Sequence, residues 1–141
     1  MVPRSAGREV MRAIRAALMQ HWDPIGVADI PRSGKFYDAV LKSLGYTRLS
    51  DGETSLGYGA KEVELWLGAT TKPVKPDMES GLHFCFVAPD RKSVDAFHAA
   101  ALKTGGTDNG KPGVRADYSP KYYAAFVIDP DGYRLEAYCG K

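Results

Sequence analysis

The chain carries two copies of one pattern. Sliding the sequence along itself by 61 residues lays FYDAVLKSLG on FHAAALKTGG, so that Phe36 falls on Phe97, Ala39 on Ala100, Leu41 on Leu102, Lys42 on Lys103, Ser43 on Thr104 and Gly45 on Gly106. Asp29 falls on Asp90 at the same offset. Further along, an offset of 72 pairs Glu64 with Glu136, Trp66 with Tyr138 and Gly68 with Gly140. The added 11 residues fit a longer loop in the second copy, Thr107 to Lys121. A duplicated unit of this size restricts the fold to two like supersecondary structures that share a core.

Periodicity says what each unit contains. In PRSGKFYDAVLKSLGY the residues Phe36, Val40, Leu41 and Leu44 recur at helical spacing and Gly45 is the stop signal. DRKSVDAFHAAALKTGG predicts the matching second helix. YTRLS, TSLGYGA and EVELWLG read as short strands, as do GLHFCFVAP and the pair closing the chain around Asp129-Pro130-Asp131-Gly132, where proline and glycine suit a tight turn. TDNGKPGVRADYSPK reads as a long loop. Ahead of the repeat, Val10, Met11, Ile14, Ala17, Leu18 and His21 predict an extra helix over Arg8 to His21, with Pro24 disfavouring its continuation. The resulting division is an N-terminal helical extension, 1–21, and a domain over 22–141. Within that domain the first module spans about 22–69, a proline-bearing linker 70–80 and the second module 81–141.

With 141 residues, 44% of them apolar and 26% charged, the chain is long enough for one packed domain. A net charge of +2 is too small to argue for nucleic acid, and Arg4, Arg8, Arg12 and Arg15 at helical spacing read as a solvated face. No apolar run is long enough to cross a bilayer and no secretory signal is visible, so the expectation is a cytoplasmic protein that does not engage membrane. Cys85 and Cys139 match no zinc-site spacing and are expected to be reduced and buried.

Strand alternation sorts the polar residues. Leu82, Phe84 and Phe86 share one face, opposed by His83, Cys85 and Val87; Leu135, Ala137 and Cys139 oppose Arg134, Glu136 and Tyr138; Val63, Leu65 and Leu67 oppose Glu62, Glu64 and Trp66. A carboxylate on a solvated sheet face needs no special explanation. Trp66, Tyr138 and Cys85 beside Glu64, His83 and Glu136 are instead the composition of a cavity wall, and an imidazole with two carboxylates is a plausible donor set for a divalent cation.

The doubled unit, together with RSGKFYDAVLKSLGY, GLHFCFVA and AAFVIDPDGYRLEAYC, resembles the vicinal-oxygen-chelate superfamily of glyoxalases, bleomycin-resistance proteins and extradiol dioxygenases over about Ile25 to Cys139. The loop PGVRADYSPKYYAAFV is similar to a largely uncharacterised glyoxalase-like subgroup. The resemblance implies an α+β fold of two tandem βαβββ modules, forming an open, cupped mixed barrel with helices outside, to which the N-terminal helix is added. It also implies metal ligands at His83, Glu136 and Glu64, bound to Zn, Ni, Mn or Fe, with Glu136 as the catalytic base, and a homodimer. The repeat places the remaining ligand at Trp22, whose indole cannot ligate a metal. His21 is the neighbouring candidate.

Two readings follow. One is a metal-dependent lyase, isomerase or dioxygenase acting on a small oxygen-bearing substrate. The other is a metal-free binding protein of the bleomycin-resistance type for an aromatic or cationic ligand, with Trp22, Trp66, Cys85, Tyr122, Tyr138 and Arg115 lining the ligand site.

Overall fold

The computed structural model describes residues 25–73, 79 and 81–141. The expected helix over Arg8 to His21 lies outside the described residues, as does Trp22. Each module begins with a short strand, β1 (Ile25–Val27) and β5 (Phe84–Val87), followed by one helix, α1 (Ile30–Lys42) and α2 (Arg91–Lys103). Three strands complete each: β2 (Thr47–Asp51), β3 (Ser55–Gly59) and β4 (Leu65–Ala69), then β6 (Thr107–Val114), β7 (Tyr123–Ile128) and β8 (Arg134–Cys139).

Both helices start on the aspartates that the repeat aligned. The Asp29 carboxylate accepts the Arg32 N–H at 2.9 Å and the Asp90 carboxylate accepts the Ser93 N–H at 2.7 Å, each occupying a donor that the first turn leaves free. Helix α1 ends as its sequence predicts: Gly45 takes φ +90°, and the Tyr46 N–H returns to the Leu41 carbonyl at 2.9 Å. The stripe of Phe36, Tyr37, Val40 and Leu41 is buried, and so is Val94, Phe97 and Ala101 on α2. Burying each of the larger side chains stabilises the fold by about 1.5–3 kcal/mol.

The strands form two four-stranded sheets, ordered β1-β4-β3-β2 and β5-β8-β7-β6. In each, the opening strand lies parallel to the closing one, because the helix between carries the chain back over the sheet, and the remaining pairs are antiparallel. The segment expected to be a loop contains strand β6. Its glycines and proline, which read as turn signals, are absorbed by register shifts between Asp108 and Gly110 and between Gly110 and Gly113. The Asp108 carboxylate anchors the first shift, accepting the Gly110 N–H at 3.0 Å beside His98 of α2 at 2.8 Å.

The two modules share one core, and their polar connections run through the β7–β8 turn. Gly132 has φ +98° there, as the turn sequence predicts. The Asp131 carboxylate accepts from the Ala28 N–H at 3.0 Å, from Arg32 at 2.9 Å and from the Ser33 hydroxyl at 3.2 Å. The Tyr133 hydroxyl donates to the Gly26 carbonyl at 2.7 Å. Gly26 and Ala28 lie along the free edge of β1, so the second module's turn covers an edge that would otherwise present unpaired backbone groups.

Strand register also changes the internal equivalence. Ile25 lies opposite Leu67, and its 61-residue counterpart, Phe86, lies opposite Ala137. Leu67 therefore corresponds to Ala137, an offset of 70, and the counterpart of Glu136 is Trp66, not Glu64.

Candidate functional site

Glu136 sits mid-strand on β8, opposite Cys85 of β5 on one side and Phe126 of β7 on the other. Its neighbours Leu135 and Ala137 point into the core, so alternation turns Glu136 to the opposite face of the sheet. It is nevertheless only 2% exposed, with the side chains of His83 and Tyr122 set against it. His83, two residues before Cys85, places Nε2 at 2.8 Å from Oε2, and Tyr122, just ahead of β7, donates its hydroxyl to Oε1 at 2.5 Å. Cys85 lies directly opposite Glu136 in the β5–β8 pair.

The proton inventory follows from the partners. His83 Nδ1 lies 2.9 Å from the Gly81 carbonyl oxygen, which only accepts, so Nδ1 carries a hydrogen. Nε2 faces a carboxylate oxygen, so that contact too requires a proton, shared between the two side chains. The bond to Glu136 accordingly raises the His83 pKa above its ordinary value of 6.5, against the opposing effect of partial burial and with help from the Gly81 carbonyl. Burial, with Glu136 adding to it, pushes both the Cys85 thiol and the Tyr122 phenol up, so neither is a thiolate or phenolate at neutral pH.

Aromatic rings roof this polar centre. Tyr122 stacks on Tyr138 with centroids 4.2 Å apart, and Tyr118, 58% exposed, packs on Tyr122 at 5.0 Å. The His83 ring lies 6.2 Å from Phe126. The segment carrying the tyrosines is folded back on itself: the Arg115 N–H donates to the Tyr122 carbonyl at 2.7 Å and the Tyr122 N–H to the Ser119 carbonyl at 3.2 Å. Arg115 bonds the Gly113 and Lys111 carbonyls at 3.0 and 2.7 Å, with its guanidinium 5.4 Å from the Phe126 ring centre. These contacts brace the strap over 115–122.

The structure thus brings together His83, Cys85, Tyr122, Glu136 and Tyr138, with Arg115 at the margin. Trp66 lies on the first sheet opposite Gly57, and Glu64, just before β4, donates its N–H to the Tyr58 carbonyl at 2.8 Å. His21 and Trp22 lie outside the described residues. Phe126 escaped sequence reasoning, although counting outward from the Asp129–Tyr133 turn, with Ile128 opposite Arg134, reaches Phe126 opposite Glu136.

A metal ion tests this donor set directly. His83 Nε2 and Glu136 Oε2 converge, but both Glu136 oxygens already accept hydrogen bonds, and no three His, Cys, Asp or Glu side chains among the described residues are grouped to hold a cation. Glu64 does not complete the set. The described residues of one chain therefore do not fit a metal centre of the usual three or more protein ligands.

The family model for the Glyoxalase/Bleomycin resistance protein/Dioxygenase superfamily matches residues 18–137. Among solved structures, a glyoxalase/bleomycin resistance protein from Albidiferax ferrireducens T118 is 32% identical, with 83% of this chain and 95% of that one covered and a TM-score of 0.69. The fold is shared with the fosfomycin resistance protein FosX from Mesorhizobium loti, at 15% identity, TM-score 0.60 and coverage of 82% and 86%. It is shared also with a V278E mutant of glyoxalase I from Zea mays, at 22% identity, TM-score 0.61 and coverage of 82% and 43%. No curated protein matches the chain. Among the described residues no helix is long and apolar enough to cross a membrane.

Proposed function

Because the chain belongs to the Glyoxalase/Bleomycin resistance protein/Dioxygenase superfamily, we propose that it binds a small aromatic ligand bearing a hydrogen-bond donor or positive charge on the Glu136 face of the second sheet. The observation that carries this reading is a carboxylate only 2% exposed, turned away from the core and held by His83 and Tyr122 beneath a ring stack. Stacked tyrosines offer flat contact area, and the carboxylate rewards a ligand that supplies a donor.

A metal-dependent lyase, isomerase or dioxygenase is the second reading. It is favoured by one feature: Nδ1–H of His83, held by the Gly81 carbonyl, is the orientation that turns Nε2 toward Glu136, with which it would share an ion. His83 and Glu136 would hold that ion, which would polarise a substrate oxygen, with further donors from outside the described residues of one chain.

Loading purified protein with Mn, Fe, Ni or Zn and measuring bound metal separates the two readings. Under the first, the protein retains no stoichiometric metal, while its intrinsic fluorescence responds to a panel of aromatic cations. Stoichiometric metal that disappears in Glu136→Ala establishes the second. A flat fluorescence response across the panel counts against the first.

A further inference from the structure

Tyr122 does to Glu136 what a ligand in this site would do. Its hydroxyl donates to Oε1 at 2.5 Å while its ring lies on Tyr138 at 4.2 Å and a tilt of 28°. We infer, on the basis of the binding reading above, that Tyr122 is a built-in occupant of the site and that a ligand using Glu136 must first displace it. The moving part is the strap over 115–122.

Three observations support displacement over permanent closure. Tyr122 stands in the connection between β6 and β7, one residue beyond the last ladder pair, Val114 with Tyr123, so turning its side chain away breaks none of those pairs. Tyr118, whose ring packs on that of Tyr122 at 5.0 Å, is 58% exposed, so this partner of the stack is itself largely in solvent. The strap closes on itself through short-range bonds between Arg115, Tyr118, Ser119 and Tyr122, so it can swing as a unit while keeping them. Its ends are pinned by the Val114–Tyr123 pair of the ladder, and the Arg115 bonds to the Lys111 and Gly113 carbonyls are what the swing must give up. Behind Tyr122, the His83–Glu136 pair stays assembled, and withdrawal uncovers one carboxylate oxygen beside the Tyr138 face.

An occupant of this kind lowers the apparent affinity for any outside ligand by the fraction of time the site is open. Thioflavin T, a planar aromatic cation, serves as the probe, with its fluorescence titrated against wild type, Tyr122→Phe, Tyr118→Ala, Glu136→Gln and the Tyr122→Phe/Glu136→Gln double variant. Circular dichroism confirms that each is folded. Removing only the Tyr122 hydroxyl should tighten binding about tenfold, and Tyr118→Ala, which removes the ring packed on Tyr122, about threefold. The double variant should lose the gain. If Tyr122→Phe binds no tighter than wild type while Glu136→Gln weakens binding, ligand uses the Glu136 face but Tyr122 does not compete, and the inference falls alone. If Glu136→Gln leaves wild-type binding unchanged, or no variant binds the dye, the underlying reading falls and takes this inference with it.

Discussion

At equivalent places the two modules carry opposite contents. Where the second sheet has Glu136 opposite Phe126, the first has Trp66 opposite Gly57, and where the second has Tyr138, two residues further on, the first has Gly68. A Cβ added to Gly57 would stand 2.9 Å from Val63 Cγ1 and 3.1 Å from Ser50 Cβ, so that position is closed by neighbours and has no room for a side chain like Phe126. One backbone plan therefore carries a tryptophan against a glycine in one copy and a carboxylate held by a histidine and a tyrosine in the other. The chemistry of the described chain is concentrated in the second module, with the first giving it a shared core.

The β-hairpins that end each module differ in the same way, and the second should be the more costly to break. Its turn is organised by Asp129, 4% exposed, which accepts the Tyr37 hydroxyl at 2.5 Å and the N–H groups of Asp131 and Tyr133 at 2.9 and 2.8 Å. Burial raises the Asp129 pKa, and the three donors oppose that shift. Asp129→Ala removes some desolvation cost but leaves three donors without their acceptor and loosens the latch of Asp131 and Tyr133 onto β1. Urea denaturation should show a loss of about 3 kcal/mol. A loss below about 1 kcal/mol would mean that the turn is held by its backbone alone.

The difference between the modules also explains which parts of the structure were legible beforehand. Helix starts at Asp29 and Asp90, the stop at Gly45 and the positive φ at Gly132 are set by local chemistry, and local chemistry is written in neighbouring residues. Alternation likewise assigned Glu136, His83 and Cys85 to one face. Pairing register is not local: the repeat in sequence matches Glu64 with Glu136, whereas the parallel strand pairs match Trp66 with it. Strand β6 was hidden because Gly110, Pro112 and Gly113 signal turns as readily as they signal a strand with register shifts. Tyr122 could be named as an aromatic wall, but its bond to a carboxylate 14 residues away depends on how the strap folds.

The first module's hairpin supplies the next test, because it is tightened by the absence of a side chain where the second is organised by one. A Cβ on Gly59 would run into the Glu62 carbonyl oxygen, which is backbone and cannot swing aside. Gly59→Ala must therefore open the turn that carries the Glu64 N–H to the Tyr58 carbonyl. The expected loss is about 2 kcal/mol in urea denaturation, smaller than for Asp129→Ala because no buried donor is orphaned. If Gly59→Ala proves the more destabilising of the two, the first module, and not the latch of the second, dominates the stability of the chain.

The smallest effect belongs to the feature that most distinguishes the modules, the His83–Glu136 pair. The His83 pKa is raised in the folded protein, chiefly by its bond to Glu136, so the folded state holds this proton more tightly than the unfolded state does. The resulting stabilisation is fully present below the ordinary value of 6.5 and is lost as pH rises through the elevated folded value. His83→Gln, which can keep a hydrogen bond to Glu136 but does not titrate, should therefore be less stable than wild type below the ordinary histidine value, with the gap narrowing as pH rises through the elevated folded value. The measurement is a pair of urea midpoints at each pH. A gap that stays constant or widens with pH would mean that the shared proton is absent, which would return Nε2 to the status of a free metal donor and bring the second module closer to the metal-binding reading.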